Sequence, residues 1–205
     1  MYNWLMTVAS VVIGILGFYH ALIYFKEKDF AINFFVAGFV FGILRENLVQ
    51  MISHLYEYPG YTLYIFKAPL LLGFGWSVAF YIGLFLAKDI ISPFSERYSK
   101  NIIVLALCAA VIAGLLGFAI EVTAVQVEWW IWYVKPFYLG MPLIVPFGWA
   151  GGAFIFLVIF LYIQNLEITP TRKLIYILCL VPVMIFLHLG YVFLVKAVLQ
   201  LLGFV

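Results

Sequence analysis

Three ionisable side chains lie within stretches of sequence that are otherwise apolar: Arg45, Glu46 and Glu121. A charge inside hydrocarbon costs about 2.5–3.5 kcal/mol on insertion scales, so each of these groups needs a partner or a cavity. A carboxyl in apolar surroundings can hold its proton near neutral pH and act as a general acid. Glu46 and Glu121 are therefore candidate catalytic residues. The simpler interpretation is that Arg45 and one glutamate form a buried ion pair that only fixes helix packing.

The two glutamates stand at equivalent places in two similar parts of the chain, which indicates an internal repeat. A shift of 75 residues aligns three pairs: Gly42 with Gly117, Glu46 with Glu121, and Tyr58 with Tyr133. A shift of 73 residues aligns 69–76 with 142–149, and both segments begin with Pro-Leu and end with Phe-Gly-Trp. We therefore expect the two carboxyls to lie at one depth, at the interface between the repeats.

Arg45 breaks this equivalence, because Ile120 stands at the corresponding place in the second part. A glutamate near Arg45 should stay ionised, and the other glutamate is then freer to be protonated. Neighbours on one helix point apart, so we expect Arg45 to orient a ligand or pair across to another helix rather than neutralise Glu46. We therefore choose Glu121 as the proton donor, with Glu46 second.

Further polar side chains near the glutamates are candidates for binding a substrate and positioning water. One predicted helical face carries polar residues at spacings of four, three and four: Glu46, Gln50, Ser53 and Glu57, with Asn47 and His54 beside it. In the second repeat Glu128 shares a face with Glu121, and Gln126 lies nearby. The amides of Asn47, Gln50 and Gln126 are the candidates for positioning water.

Aromatic side chains are concentrated in two segments, 54–66 and 129–139, that join the paired helices. Such residues are ordinary at a membrane interface, where their rings sit at the level of the headgroups. Aromatic faces also stabilise cations through their quadrupole, which would suit a carbocation formed by protonating a carbon–carbon double bond. Tyr58, Trp132 and Tyr133 are therefore candidate binding residues.

Two further tryptophans, Trp76 and Trp149, occupy equivalent places in the repeat. Each lies about two turns into its predicted helix, which is too deep for an interfacial belt. We therefore expect both to form the wall of a pocket that also contains the glutamates.

The composition indicates that membrane helices position these residues. Of 205 residues only 11 are Lys or Arg and 9 are Asp or Glu, while 67% are hydrophobic, far from the balance of a soluble domain. A spanning helix needs about 20 mostly apolar residues. Apolar runs of about that length predict six helices, near 2–25, 30–53, 68–90, 102–128, 140–165 and 174–203. We predict an all-α integral membrane protein that forms a single transmembrane domain over residues 1–205.

The internal repeat and the charged links predict an arrangement in the membrane. The second and third helices (about 30–90) should repeat as the fourth and fifth (about 102–165), in parallel, about a pseudo-twofold axis along the membrane normal. Six spans put both termini on one side. The links on the other side carry most of the basic residues: Lys26, Lys28, Lys88, Arg97, Lys100, Arg172 and Lys173. The positive-inside rule makes that side cytoplasmic, so we expect both termini on the outer side of the cell membrane.

Several functional classes are disfavoured. The net charge of +2 is small and scattered, without the basic stripe of a nucleic-acid-binding protein. Cys108, Cys179 and the three histidines, His20, His54 and His188, show no metal-ligand spacing. We therefore expect no metal, no cofactor and no nucleic-acid partner, and a lipid or polyene is the expected ligand.

A helix glutamate, an aromatic segment containing a tyrosine, and then Pro-x-x-x-x-x-Gly-Trp form a pattern that resembles the carotenoid biosynthesis protein family. This family includes bisanhydrobacterioruberin hydratase and carotenoid 1,2-hydratases. The resemblance rests on one set of residues and its echo in the first half: Glu121, Tyr133, Gly140, Pro142, Pro146 and Trp149, with Glu46, Tyr58, Pro69, Gly75 and Trp76. It implies addition of water to a terminal isoprenoid double bond, which gives a tertiary alcohol.

The alternative interpretation is a small lipid-binding protein or transporter, because parallel repeats with polar groups near the midplane also build transport pathways. A transport pathway would favour polar groups that continue to both faces of the membrane. Here the segments 31–41 and 102–116 are almost purely apolar apart from Asn33, which favours a one-sided pocket. A purely structural subunit of a larger complex is a third interpretation.

Overall fold

The structure, a computed structural model, describes residues 3–53, 55–93 and 101–204. Within these residues six helices are long and apolar enough to cross a membrane. They are α1 (Asn3–Tyr24), α2 (Lys28–Ile52), α3 (Leu70–Ile91), α4 (Ile102–Gln126), α5 (Ile144–Gln164) and α6 (Pro170–Leu201). The prediction of a six-helix, all-α, multi-pass membrane protein is confirmed. Three residues used above, His54, Arg97 and Lys100, lie outside the described residues.

Two helices begin four residues away from their predicted start, and the others begin within two residues of it. α5 begins four residues later, at Ile144, because Tyr138 and Met141 form a β-bridge around Gly140, whose positive φ of 85° suits glycine. α6 begins four residues earlier, at Pro170, because proline is tolerated in the first helical turn, where its missing N–H would have no partner. These shifts leave the order and number of predicted spans unchanged.

The polar face predicted for α2 is shorter than expected. α2 ends at Ile52, and Glu57 belongs to a strand, so Glu57 does not continue the row that begins at Glu46. Likewise α4 ends at Gln126, and Glu128 follows it with a positive φ of 57°. The predicted shared face of Glu121 and Glu128 is therefore wrong, because the helix has ended before Glu128.

The two aromatic segments meet through short strands. β1 (Tyr56–Glu57) pairs antiparallel with β4 (Ile131–Trp132), and β2 (Tyr64–Ile65) pairs with β3 (Ala68–Pro69). Tyr56 stands opposite Trp132 and Glu57 opposite Ile131, and the Tyr133 N–H donates to Leu55 O at 2.8 Å. Since side chains along extended backbone alternate between faces, residues 56 and 58 and residues 130 and 132 can turn toward the same space.

The helices pack in an order that encloses this space. α2 packs on α3, and α4 packs on α5; α3 also packs on α4, while α6 covers α5 and α2, and α1 lies against α3. The largest fully buried side chains are mostly phenylalanines of the helices: Phe34, Phe41, Phe80, Phe156 and Phe160. This apolar core fixes α2, α3 and α5 relative to one another, and these helices carry Glu46, Trp76 and Trp149.

Candidate functional site

A cavity of about 740 Å³ lies among the six helices and the paired aromatic segments. Seven residues predicted as site residues line it: Arg45, Glu46, Tyr58, Trp76, Glu121, Trp132 and Trp149. Its volume falls within the range of small-molecule sites, roughly 300–1,000 Å³. The two glutamates are almost fully buried, with 2% and 6% of their surface exposed. The structure therefore brings both candidate acids and both predicted wall tryptophans to one cavity.

Glu46 is held by four donors. Its Oε1 accepts hydrogen bonds from the Arg45 guanidinium and from Trp76 Nε1, the latter at 2.8 Å. Its Oε2 accepts from the hydroxyls of Tyr56 at 2.6 Å and Tyr58 at 2.7 Å. A carboxyl with a cation and three further donors around its two oxygens has the surroundings of a carboxylate anion.

Arg45 pairs with its own neighbour. The expectation that Arg45 would pair across rather than neutralise Glu46 is wrong, since the two side chains form an ion pair. Their Cβ atoms diverge on the helix, but the arginine side chain is long and flexible enough to fold back. The guanidinium also donates to the Tyr56 hydroxyl at 2.9 Å and lies 5.1 Å from the centre of the Trp76 ring. Arg45 is thereby fixed by a hydrogen bond and a cation–π contact as well as by Glu46.

The two tyrosines of this cluster act as neutral donors. Burial raises the pKa of the Tyr56 hydroxyl well above its ordinary value; the nearby Arg45 opposes this shift and the negative charge of Glu46 adds to it. Burial and the charge of Glu46 likewise raise the pKa of Tyr58. Both phenols therefore keep their protons and stabilise the carboxylate that they contact.

Glu121 is held by three indole N–H groups. Its Oε2 accepts from Trp130 at 2.6 Å and from Trp132 at 3.3 Å, and its Oε1 accepts from Trp149 at 3.0 Å. Among the described residues Glu121 has no ion pair. Indole N–H groups donate only and carry no charge, so this carboxyl has neutral partners throughout. Its Oε1 receives one donor, which leaves room on that oxygen for a proton.

Two glycines let the tryptophans reach the carboxyls. Gly42 and Gly117 each stand four residues before a glutamate, on the same helical face. A Cβ at Gly42 would lie 2.8 Å from Cβ of Trp76, and one at Gly117 would lie 2.3 Å from Cγ of Trp149. Any side chain here would displace the tryptophan whose N–H binds the glutamate.

Aromatic rings fill the space between the two carboxyls. Trp76 and Trp149 stack with their centroids 5.0 Å apart and their planes at 24°. Above them Tyr56 lies 4.5 Å from Trp132, and Tyr58 lies 6.0 Å from Trp130. The site thus joins two buried carboxyls to a continuous set of aromatic faces, which is suited to proton transfer and to stabilising a cation.

Four predicted binding residues lie elsewhere. The Asn47 amide donates to Ile43 O and accepts from the backbone N–H groups of residues 67 and 68. The amides of Gln50 and Gln126 donate to the carbonyls of Tyr56 and Leu139. Tyr133 is 60% exposed and its hydroxyl contacts Glu57. None of the four lines the cavity described above, and three of them serve to hold the backbone of the loops.

Several residues of the site were not among the predicted site residues. Tyr56 and Trp130 bind the two glutamates, and each stands two residues before an aromatic partner, Tyr58 or Trp132. This alternation is typical of extended backbone and could have identified them. Trp129 and the α6 residue Lys196 also line the cavity. No periodicity or motif singled out Lys196, because α6 lies outside the repeated part of the sequence.

The described residues contain no group of three or more His, Cys, Asp or Glu side chains placed to hold a metal ion. His188 is fully buried and its Nε2 lies 2.9 Å from the carbonyl oxygen of Gly148 in α5. That contact ties α6 to the helix that carries Trp149. Two buried carboxyls beside a cavity have a position from which they can exchange protons with water or a bound molecule.

Comparison with known proteins gives one match. The sequence profile of the family described as carotenoid biosynthesis protein matches residues 11–205, which is nearly the whole chain. No curated protein and no solved structure matches the chain. The family match includes both glutamates, the whole of α2 to α6 and the larger part of α1.

Proposed function

Because the chain belongs to the carotenoid biosynthesis protein family, with a role in carotenoid metabolism in a membrane, we propose that it hydrates a carbon–carbon double bond of an isoprenoid. Glu121 is the proton donor in this proposal. The observation that carries it is the contrast between two equally buried carboxyls: Glu46 faces a guanidinium, whereas Glu121 faces only neutral indole donors. A buried carboxyl without a cation is the one that keeps a proton for transfer.

The reaction adds one molecule of water in two steps. The proton of Glu121 forms a bond with the less substituted carbon of the alkene, using the π electrons, and leaves a tertiary carbocation. A water oxygen then bonds to the cation, and the resulting oxonium returns one proton to the Glu121 carboxylate, directly or through water. The product is a tertiary alcohol, and the enzyme regains its starting protonation state.

The aromatic groups stabilise both charges of the intermediate. Aromatic side chains of the cavity lining other than Trp76, among them Trp130, Trp132 and Trp149, attract a cation through the quadrupoles of their rings. The indole N–H groups around Glu121 stabilise the carboxylate that remains when the proton leaves. Charge separation is thus supported by groups that are already in place before the reaction.

We further propose that α2–α3 and α4–α5 are parallel repeats within one transmembrane domain. Each glutamate accepts from the tryptophan of the next helix and from two alternating aromatic residues, which supports this relation. The hydrogen bonds support a shift of 74 residues in the aromatic segments, because Tyr56 and Tyr58 donate to Oε2 of Glu46 as Trp130 and Trp132 donate to Oε2 of Glu121, and 130 − 56 = 132 − 58 = 74. This shift makes Trp132, rather than Tyr133, the counterpart of Tyr58.

The proposed orientation places both termini outside, and the site then lies in the outer half of the membrane. The support is the basic residues of the links opposite the termini, such as Lys26, Lys88 and Arg172. In a variant without native cysteines, a cysteine at position 172 should resist an impermeant thiol reagent in intact cells. A cysteine at exposed position 4 should react with it. Labelling at position 172 but not at position 4 would indicate the opposite orientation in the membrane.

Isotope labelling tests the reaction. The purified full-length protein is supplied with lycopene, an acyclic polyene, in D₂O or in H₂¹⁸O. We expect an alcohol that carries one new C–D bond beside the carbinol carbon in D₂O and ¹⁸O in the hydroxyl in H₂¹⁸O. An oxygen atom from O₂ would indicate oxidation instead. Binding of the polyene without any product would contradict the hydration proposal and favour a lipid-binding function.

A further inference from the structure

The walls of the cavity differ in polarity. α2 and α6 contribute Arg45 and Lys196 to the lining. α1 and α3 contribute mostly hydrocarbon, including Ile13 and Phe74. A pocket that binds a molecule with one reacting group and a long apolar chain needs an uncharged wall for the chain, since every charge left facing hydrocarbon loses its hydration.

α1 packs on one ridge of α3. A Cβ at Gly14 of α1 would lie 2.9 Å from the Phe74 ring, and one at Gly17 would lie 3.3 Å from Val78. Phe74 and Val78 are four residues apart and lie on one face of α3. The absence of side chains at the two glycines therefore brings α1 directly onto this face.

α4 packs on a different ridge of α3. A Cβ at Gly83 would lie 2.8 Å from the Ala109 carbonyl oxygen of α4. At 100° per residue, Gly75, Ala79 and Ile82 lie between the two ridges, and all three line the cavity. We call this strip of α3, bounded by α1 and α4, the α3 groove.

The α3 groove is open beside α1 and reaches the carboxyls at its Gly75 end. A Cβ at Gly75 would meet no atom within 4 Å, and Gly75 directly precedes Trp76. From Gly75 to Ile82 the groove runs along α3 for about 10 Å. Ile13, on its α1 edge, is 53% exposed, so the groove faces the bilayer there.

The α4 side of the groove is apolar beside the acid. Ile120 lines the cavity next to Glu121. In the other half of the molecule the corresponding place next to Glu46 holds Arg45. The groove therefore offers a hydrocarbon surface that leads to the carboxyl that lacks a cation.

We propose that the α3 groove binds the chain of an extended polyisoprenoid hydrocarbon, which enters from the bilayer beside α1 and brings its terminal double bond to Glu121. The position of the reacting end rests on the proposed function, whereas occupancy of the groove by a polyene does not. A phospholipid fits less well, because the groove residues Gly75, Ala79 and Ile82 are apolar and the two cations of the cavity, Arg45 and Lys196, lie on α2 and α6.

Two glycines supply a matched test. Gly75 lies in the groove, while Gly190 of α6 is exposed and does not line the cavity, and a Cβ at either meets no atom within 4 Å. Lycopene binding to the full-length protein in nanodiscs is measured by quenching of tryptophan fluorescence. Gly75→Leu should weaken binding by about tenfold or more, because a bound chain would press against the added side chain. Gly190→Leu should change affinity by no more than about twofold.

A second variant keeps the test decisive if Gly75→Leu unfolds in detergent. Ile13→Trp narrows the same groove from α1, at a partly exposed site, and should weaken binding in the same way. Weaker binding in these two variants supports binding of the polyene in the α3 groove. If the wild type binds lycopene but forms no alcohol, only the hydration proposal fails. The inference is overturned if both bind lycopene as the wild type does, if Gly190→Leu weakens binding as much, or if the wild type does not bind lycopene.

Discussion

Glu46 and Glu121 are buried to a similar degree, and each accepts a hydrogen bond from the tryptophan of the following helix. Around Glu46 the remaining donors are a guanidinium and two phenols, whereas around Glu121 they are two indoles. One difference in sequence, Arg45 against Ile120, accounts for the cation. Similar scaffolds thus hold one carboxyl beside a guanidinium and the other among indole donors. In our account the first organises the site and the second reacts.

The largest effect should come from Glu121→Gln. This change keeps the size of the side chain and removes the transferable proton, so alcohol formation should fall by about 10²–10⁴-fold. The protein should still fold, with about 1–3 kcal/mol lost because one indole N–H meets an amide donor instead of an oxygen. Alcohol formation from lycopene and thermal unfolding in detergent measure the two effects. Retention of full activity would rule out Glu121 as the acid.

Glu46→Gln should act mainly on stability. It leaves Arg45 buried without its counter-charge, a defect worth about 3–5 kcal/mol. The melting temperature should fall clearly, and activity should fall with it because Trp76 loses its carboxylate acceptor. The double variant Arg45→Met with Glu46→Gln removes both charges and should recover much of the stability. Equal stability of Glu46→Gln and wild type would show that the ion pair is unimportant.

The two close-packing glycines offer a finer comparison. Gly42→Ala and Gly117→Ala each force a Cβ against a tryptophan, so each should destabilise the protein by about 1–3 kcal/mol. Gly117→Ala should also lower the rate per folded molecule more than Gly42→Ala, because Trp149 holds the reacting carboxyl. Gly75→Ala, where a Cβ meets no atom within 4 Å, is the matched control and should unfold at nearly the wild-type temperature.

The smallest expected effect is the difference in rate between two variants, at Trp130 and Trp132, whose indoles donate to the same oxygen of Glu121. Trp130 donates to Glu121 Oε2 at 2.6 Å and Trp132 at 3.3 Å, so the Trp132 bond is the weaker. Trp132→Phe should reduce the rate by less than about tenfold, and Trp130→Phe by more, since phenylalanine keeps an aromatic face but donates no hydrogen bond. Steady-state rates of the two purified variants decide the order, and the reverse order would mean that ring packing matters more than the hydrogen bonds.

The sequence predicts the fold well, because lipid requires long apolar helices and these are visible as runs of hydrophobic residues. The pattern shared by the two similar parts of the chain indicates which positions correspond. It therefore predicts that four residues line one cavity: Glu46, Glu121, Trp76 and Trp149. Trp132 and Tyr133 were both predicted to bind a substrate, but Tyr133 rather than Trp132 was aligned with Tyr58, and the reason is physical. In extended backbone a displacement by one residue moves a side chain to the opposite face, so a shift of 75 instead of 74 selects the wrong residue.

Contacts made by flexible or backbone-bound side chains were not predictable from spacing. Arg45 reaches its own neighbour because its side chain folds back, which no helical periodicity reveals. Asn47 and Gln50 looked like polar pocket residues, but the loops that follow α2 present backbone groups that need partners, and the two amides satisfy them. The groove beside α1 was missed since its walls are glycine and aliphatic residues, a composition found on any packed membrane helix.

Infrared spectroscopy of the carboxyl groups tests the difference between the two glutamates most directly. The purified protein near neutral pH should show the C=O stretch of a protonated carboxylic acid, and this band should shift in D₂O. We expect the band to disappear in Glu121→Gln and to remain in Glu46→Gln, because the Arg45 guanidinium forms an ion pair with the Glu46 carboxyl. Loss of the band in Glu46→Gln, with its retention in Glu121→Gln, would assign the proton to the other carboxyl and contradict the account.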